Sequence, residues 1–231
     1  MTALVIAHRT CPRDAPENSI AGIGAAARAG ADAVEIDVRL TADGQPVLMH
    51  DVSLWRMTRR ARRVDRTSLA DVRRLRLRGG EQTVPTFGEA LAALDGGMRL
   101  AIDVKDPAAA DAVLSEVRNQ GAAGRVLFWA KSAAAVALAS QRAPEIEGSL
   151  LRDAKRPDDV RRFLDDAVGA GARGISAHWS LIAPSFVDDA RARGLRVYAW
   201  CKTRDIAPSK VTLIDGLVTD WPATARTLLD G

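Results

Sequence analysis

Gly30-Ala31-Asp32-Ala33-Val34-Glu35-Ile36-Asp37-Val38 is the stretch that decides the fold. It is an apolar, β-rich run with two carboxylates set into it at alternate positions, and a glycine stands just before it. Successive side chains on a strand point to opposite faces, so Glu35 and Asp37 share one face. Two neighbouring runs have the same form. Ala3-Leu4-Val5-Ile6-Ala7 ends in His8-Arg9, and Pro46-Val47-Leu48-Met49 ends in His50-Asp51. Each short apolar segment delivers chemically capable residues at or near its end, among them two of the chain's three histidines.

The same rhythm continues along the chain. Strands are expected at residues 3–8, 33–38, 99–104, 125–129, 147–151, 174–178, 196–200 and 215–219. Ala/Leu/Arg stretches with helical spacing lie between them, at residues 20–29, 108–119, 133–142, 158–168, 184–193 and 223–229. Gly30, Gly121, Gly171 and Gly194 follow such stretches in the manner of helix C-caps. Strands alternating with helices imply a parallel sheet. Eight of them in 231 residues predict an α/β fold of the (β/α)8 TIM-barrel type, with an open doubly wound sheet as the alternative. The rhythm breaks once. Asp43-Gly44 signals a tight turn, so Pro46 to Met49 should fold back as a hairpin after the second strand. About fifty residues then separate His50 from the next barrel strand, more than one crossover helix uses. A short insertion at about residues 52–86 is expected, followed by a helix at 87–94, all within a single catalytic barrel domain of residues 1–231.

Composition narrows the classes. Apolar residues make up 47% and charged residues 27%, the balance of a globular domain with material for a core. No apolar run approaches the roughly 20 residues that a membrane helix needs, so no integral membrane segment is expected. The first residues carry no charged leader and already read as a strand, and Cys11 and Cys201 are the only cysteines. A cytoplasmic location with both thiols reduced is the expectation. The net charge is +4, and arginines concentrate between residues 56 and 78. Without aromatic interleaving this patch reads as a solvated face, and no nucleic-acid partner is expected. The oligomeric state is open.

In a barrel of this kind the C-terminal strand ends open onto one face, which makes the polar residues there neighbours. They are His8 and Arg9, Glu35 and Asp37, His50, Asp103 and Lys105, and Trp200. Buried carboxylates as close as Glu35 and Asp37 repel unless a cation lies between them. With Asp103 they form an all-oxygen set suited to a hard divalent ion, Mg²⁺ or Ca²⁺. Lys105 and Arg9 add positive charge for an anionic substrate. A metal, two cations and two histidines suggest cleavage of a phosphate ester, with one imidazole as base and the other as acid. His178, Trp129, Lys131 and Arg152 also sit at or just past strand ends and are candidates to line the pocket.

The motifs resemble a known family. His8-Arg9, Pro16-Glu17-Asn18-Ser19, Gly30-Ala31-Asp32 leading to Glu35-x-Asp37, Thr41-x-Asp43-Gly44 and His50-Asp51 resemble the glycerophosphodiester phosphodiesterases in order and spacing. Leu54-x-Arg56-x-Thr58 and Val84-Pro85-Thr86-Phe87 resemble the family's insertion. Val197-x-Ala199-Trp200 and Asp215-Gly216-Leu217-Val218-Thr219-Asp220-x-Pro222 resemble its last two strands. The resemblance implies metal-dependent hydrolysis of a small-molecule phosphodiester to glycerol 3-phosphate and an alcohol. It implies His8 and His50 as the acid/base pair, Glu35 and Asp37 as metal ligands with Asp103 at the third, Arg9 and Lys105 as phosphate contacts, and Trp200 as a pocket wall. Ser19 is sufficiently explained as a helix N-cap.

Three positions depart from the family pattern. Its glycine after His-Arg is Thr10, its usual third glutamate ligand is Asp103, and its Trp-Thr-Val-Asn is Trp200-Cys201-Lys202-Thr203. If the Thr10 position needs positive φ, threonine is a poor occupant. The Asp103-x-Lys105 form also resembles the related sphingomyelinase D group, whose members cleave lysophospholipids to a cyclic phosphate but carry a disulfide-tied loop. A catalytically silent barrel that binds phosphate esters is the remaining alternative.

Overall fold

The structure is a computed structural model that describes residues 2–154 and 156–230. Eight parallel strands close on themselves: β1 (Leu4–Ala7), β2 (Ala33–Leu40), β4 (Arg99–Val104), β5 (Val126–Ala130), β6 (Glu147–Arg152), β7 (Gly174–His178), β8 (Arg196–Cys201) and β9 (Gly216–Thr219). β1 pairs with β9 on one side and with β2 on the other, and this second pairing closes the barrel. The open-sheet alternative is thereby excluded. β3 (Pro46–Leu48) is antiparallel to the end of β2, the hairpin expected from Asp43-Gly44. Strand limits agree with the expected ones to within about two residues.

Helices cover the outside: α1 (Ile20–Arg28), α4 (Phe87–Ala92), α5 (Ala110–Asn119), α6 (Ala133–Arg142), α7 (Pro157–Gly169), α8 (Pro184–Ala192), α9 (Pro208–Val211) and α10 (Pro222–Asp230). Local chemistry sets several starts. Ser19 and Ser132 accept from the third-residue amides of α1 and α6, and Thr86 with Glu89 forms a capping box on α4. Prolines open α7, α8 and α10, where a missing N–H costs nothing.

The period-two alternation sorts every strand into two layers. Val34, Ile36 and Val38 on β2, with Leu100, Ile102 and Val104 on β4, pack outward against the helices in the main core. The alternate positions point into the barrel, where Ile6, Ala33, Ala101, Leu127, Trp129, Tyr198 and Val218 form a separate interior cluster. Trp129 and Tyr198 stack obliquely there with ring centroids 5.1 Å apart, and the Tyr198 hydroxyl donates to Glu147 at 2.5 Å. The interior is therefore plugged at one end. At the other end the inward positions are occupied by carboxylates.

Between β3 and α4 the chain makes an excursion with its own small core of Leu54, Met57, Val64, Val72, Leu77 and Val84, closed over Val47 and Met49. Two short helices, α2 (Trp55–Thr58) and α3 (Leu69–Val72), belong to it. Five of its ten arginines are in ion pairs: Arg56 with Glu17 and Asp51, Arg63 with Asp65, Arg73 with Glu89, Arg74 with Asp71 and Arg76 with Glu81.

Tyr198 fits only because Gly216 has no side chain. A Cβ there would stand 2.9 Å from the Tyr198 ring and 3.2 Å from Ile6. Gly216→Ala is expected to destabilise the fold by about 1–3 kcal/mol through overpacking, read as a lowered midpoint in urea denaturation.

Candidate functional site

Glu35 and Asp37 face the barrel interior because the β-branched residues that alternate with them, Val34, Ile36 and Val38, face the helices. Asp103 takes the matching position on the next strand, directly opposite Asp37 in the pairing register. Oxygens of the three carboxylates lie within 4.8 Å of one another, and all three residues are buried. The sequence expectation that these three converge is met geometrically, including the shorter Asp103.

Such a cluster needs compensating charge and donors. Lys105, one turn of the pleat beyond Asp103, reaches Asp37 at 2.8 Å and also contacts Asp103. Arg9 stands 3.4 Å from Asp37 through Nε, and its backbone amide donates to Glu35 at 2.8 Å. Lys105 and Arg9 outweigh the burial that would raise Asp37 and hold it down at about 2. Burial and the adjacent Asp37 push Glu35 up to about 7. Burial also leaves Asp103 above its ordinary value in spite of Lys105. Asp103 Oδ1 is buried and lacks a hydrogen-bond partner among the described residues. Two carboxylates short of compensation and a free buried oxygen fit a hard divalent cation, which Glu35, Asp37 and Asp103 are placed to hold.

The turn after β1 presents His8 and Arg9. Arg9, Thr10 and Cys11 have φ of 45°, 69° and 95°, three consecutive residues in the left-handed region. This turns the Arg9 amide toward Glu35 and the chain back toward α1. Thr10 therefore does occupy a positive-φ position. Its hydroxyl accepts from the Ser19 amide at 3.1 Å, and α1 passes so close that a Cβ on Gly22 would meet Thr10 Oγ1 at 2.2 Å. A buried hydrogen bond and a facing glycine accommodate the threonine. Asn18, at φ 55°, donates through Nδ2 to Asp37 at 2.8 Å and accepts the Asp37 amide at 2.9 Å. Ser19 is the N-cap, as expected, whereas Asn18 clamps the carboxylate cluster.

Both histidines are anchored through Nδ1. His8 bonds Asp220, just past β9, at 2.6 Å, and His50 bonds Asp51 at 2.7 Å. A carboxylate can only accept here, so each Nδ1 carries the proton and each Nε2 is the basic nitrogen. Burial lowers the His50 pKa in spite of Asp37 and Asp51, which favours the neutral ring. Asp51 in turn accepts from Arg56 Nε at 2.5 Å, and Arg56 holds Glu17 at 2.7 and 2.9 Å. Glu17 faces Arg9 at 3.3 Å. A continuous relay of ion pairs thus joins His50 to Asp37 through the excursion and the first loop. Asn18, Asp220, Glu17 and Arg56 belong to the family motifs but are not among the site residues that the sequence points to. Motif membership is their signal in the sequence, because their partners lie up to 212 positions away.

The mouth holds about 530 Å³ of free space, and His8, Arg9, Glu35, Asp37, His50, Asp103, Lys105 and Trp200 all line it. Trp129 and Lys131 line it as well. Arg152 pairs with Asp166 on α7 instead, and His178 packs edge-on against Trp200 at 4.4 Å, with its Nδ1 on Ser180. His178 buttresses the tryptophan. Cys11 and Cys201 are buried and free, and burial and Asp14 push the Cys11 thiol up to about 12, which leaves it inert.

Three buried carboxylates, two cations and two anchored imidazoles stand together at the C-terminal mouth of a (β/α)8 barrel, the kinds of group that hydrolysis of a phosphoric diester calls for. The comparisons with known proteins agree. Residues 8–224 match the glycerophosphoryl diester phosphodiesterase family, and the chain belongs to it. A glycerophosphodiester phosphodiesterase of Caldanaerobacter subterraneus is 26% identical over 243 residues, covering 99% of this chain and 98% of that protein. Human glycerophosphodiester phosphodiesterase 1 is 40% identical over 109 residues, which span 43% of this chain and 33% of the human protein. Among solved structures, an Oleispira antarctica phosphodiesterase in complex with the product sn-glycerol-3-phosphate superposes with a TM-score of 0.85 at 26% identity, covering 100% of this chain and 98% of that one. Among the described residues no helix is long and apolar enough to cross a membrane.

Asn18→Gly keeps the positive φ at low cost while removing both hydrogen bonds to Asp37. It is expected to destabilise the protein by about 1–3 kcal/mol, measured by chemical denaturation.

Proposed function

We propose that this enzyme hydrolyses glycerophosphodiesters to glycerol 3-phosphate and an alcohol by metal-dependent His/His acid–base catalysis. The observation that carries the reading is that two histidines, each held through Nδ1 by its own carboxylate, line one mouth with Glu35, Asp37, Asp103 and Lys105. Glu35, Asp37 and Asp103 would hold Mg²⁺ or Ca²⁺, which supplies Lewis-acid stabilisation of charge developing on the phosphate. Arg9 and Lys105 bring positive charge to the phosphate, and Trp200 walls the pocket against water. One histidine takes a proton at Nε2 from the attacking hydroxyl, either water or the substrate's own glycerol hydroxyl. The other delivers a proton from Nε2 to the departing alcohol oxygen. Asp220 and Asp51 keep each ring in the tautomer this exchange needs and stabilise its charged form.

The reading takes the chain as one catalytic barrel domain, with the excursion at about 52–86 serving to seat His50. It includes a cytoplasmic location, supported by two unpaired buried cysteines. It includes no nucleic-acid partner, supported by the pairing of five of the excursion's ten arginines with acids.

His8→Ala and His50→Ala are each expected to lower kcat by about 10²-fold or more, the usual scale for acid–base groups. Steady-state kinetics on glycerophosphocholine checks this, and near-normal turnover removes that histidine from the mechanism. Added Mg²⁺ or Ca²⁺ is expected to raise Tm, and EDTA to reverse the rise and stop turnover. Asp37→Asn should abolish the thermal shift, read by scanning calorimetry. Product analysis by ³¹P NMR separates the routes. Glycerol 3-phosphate supports the hydrolase, a cyclic phosphate from a lysophospholipid points to internal attack, and tight binding without product points to a silent barrel.

A further inference from the structure

The carboxylate cluster occupies β2 and β4, whereas the half of the mouth built from β5 to β8 is lined by a different set of groups. Lys131 directly follows β5, and Lys202 directly follows β8. Both line the same pocket as the catalytic groups, and neither has a carboxylate within ion-pair distance among the described residues. Lys202 is held over the Trp200 ring, with Nζ 5.8 Å from its centroid.

The same lining contains unused hydrogen-bond donors. Trp129 and Ser176 are each 1% exposed, and the Trp129 Nε1, Ser176 Oγ and Trp200 Nε1 atoms are buried without partners. Buried donors of this kind are normally satisfied, so three together in one pocket point to a polar occupant. Every polar group on this side is a cation or can donate, and no carboxylate lines it.

Charge accounting across the mouth gives the sign of that occupant. Arg9, Lys105, Lys131 and Lys202 face Glu35, Asp37 and Asp103, four basic groups against three acidic ones. A divalent cation on the triad would leave the mouth clearly positive, and a diester phosphate brings only one negative charge. The excess sits where the scissile phosphate does not, on the two lysines after β5 and β8.

We propose that Lys131 and Lys202 flank a subsite for a second anionic group, carried by the alcohol portion of the diester. The preferred substrates are then glycerophosphodiesters whose alcohol bears an additional anion such as a phosphate monoester. This inference rests on the phosphodiesterase reading above. Lys131 and Lys202 act in it as specificity residues. They hold the distal anion between two ammonium groups, with the indole N–H donors and the Ser176 hydroxyl supporting it. A cationic alcohol such as choline meets two like charges there and no carboxylate.

The test compares kcat/KM for glycerophosphoinositol 4-phosphate and unphosphorylated glycerophosphoinositol, a pair differing only in the distal anion. The wild-type protein should favour the phosphorylated diester by roughly tenfold at low ionic strength, the combined scale of two exposed ion pairs. The preference should shrink as salt screens the lysines. Lys131→Gln and Lys202→Gln should each lower the ratio roughly two- to fivefold, and Lys131→Arg and Lys202→Arg should retain it. A wild-type ratio near one, or a ratio unchanged in the Lys131→Gln/Lys202→Gln double variant, overturns the subsite. Hydrolysis of neither diester counts against the phosphodiesterase reading instead. Calorimetric binding of the same two diesters then decides the lysines separately, with equal affinities overturning the proposal.

Discussion

Three carboxylates buried within 4.8 Å of one another are the constraint on which the rest of this structure depends. Each uncompensated ion in such a setting costs several kcal/mol, so the surrounding chain must supply charge and donors from more than one direction. Lys105 comes from the same strand as Asp103, Arg9 from the loop after β1, and Asn18 from the turn before α1. That loop can turn its amide onto Glu35 only by passing through three left-handed residues in succession. The strained corner and the threonine within it are consequences of where the carboxylates lie. Compensation within the protein is incomplete: Glu35 stays raised and one Asp103 oxygen stays free, which leaves the cluster short of positive charge.

The two histidines are tied to this cluster by different means. His8 is fixed by Asp220 from the last strand, so barrel closure itself places its partner. His50 lies outside the barrel strands, at the start of the excursion, and depends on Asp51, Arg56 and Glu17 to bring it back to the first loop. The excursion's small apolar core holds α2, and α2 carries Arg56. A segment with a core of its own, apart from the main one, thus supplies the ion pairs that tie down one imidazole.

The barrel also divides its labour by strand. β2 and β4 carry the carboxylate cluster and β1 leads into His8 and Arg9, whereas β5 to β8 and the residues just after them supply tryptophans, a serine and lysines. Inside, the same alternation that points Glu35, Asp103 and Trp200 into the mouth points Ala33, Ala101 and Tyr198 into the plug below it. Polar mouth and hydrophobic floor are successive inward positions of the same strands.

Much of this was legible in the residues. Alternation identified the strands, their inward carboxylates and the pairing of chemistry with strand ends, because a period of two is a local property of the backbone. His8, His50, Lys105 and Trp200 could be selected because each stands next to an apolar run. Thr10 could be singled out as an unusual occupant, but its hydrogen bond to Ser19 and its contact with Gly22 could not. Asn18 stood in the sequence only as a member of the Pro16-Glu17-Asn18-Ser19 motif, and the approach of the first loop to β2 made it the clamp on Asp37. Asp220 and Arg56 acquired their roles from partners far away in sequence. Local periodicity and residue chemistry determined the strands, the helices and which side chains were capable. Closure of β1 onto β2 and β9 decided which of them meet, because a contact across the barrel mouth has no counterpart in the spacing of residues along the chain.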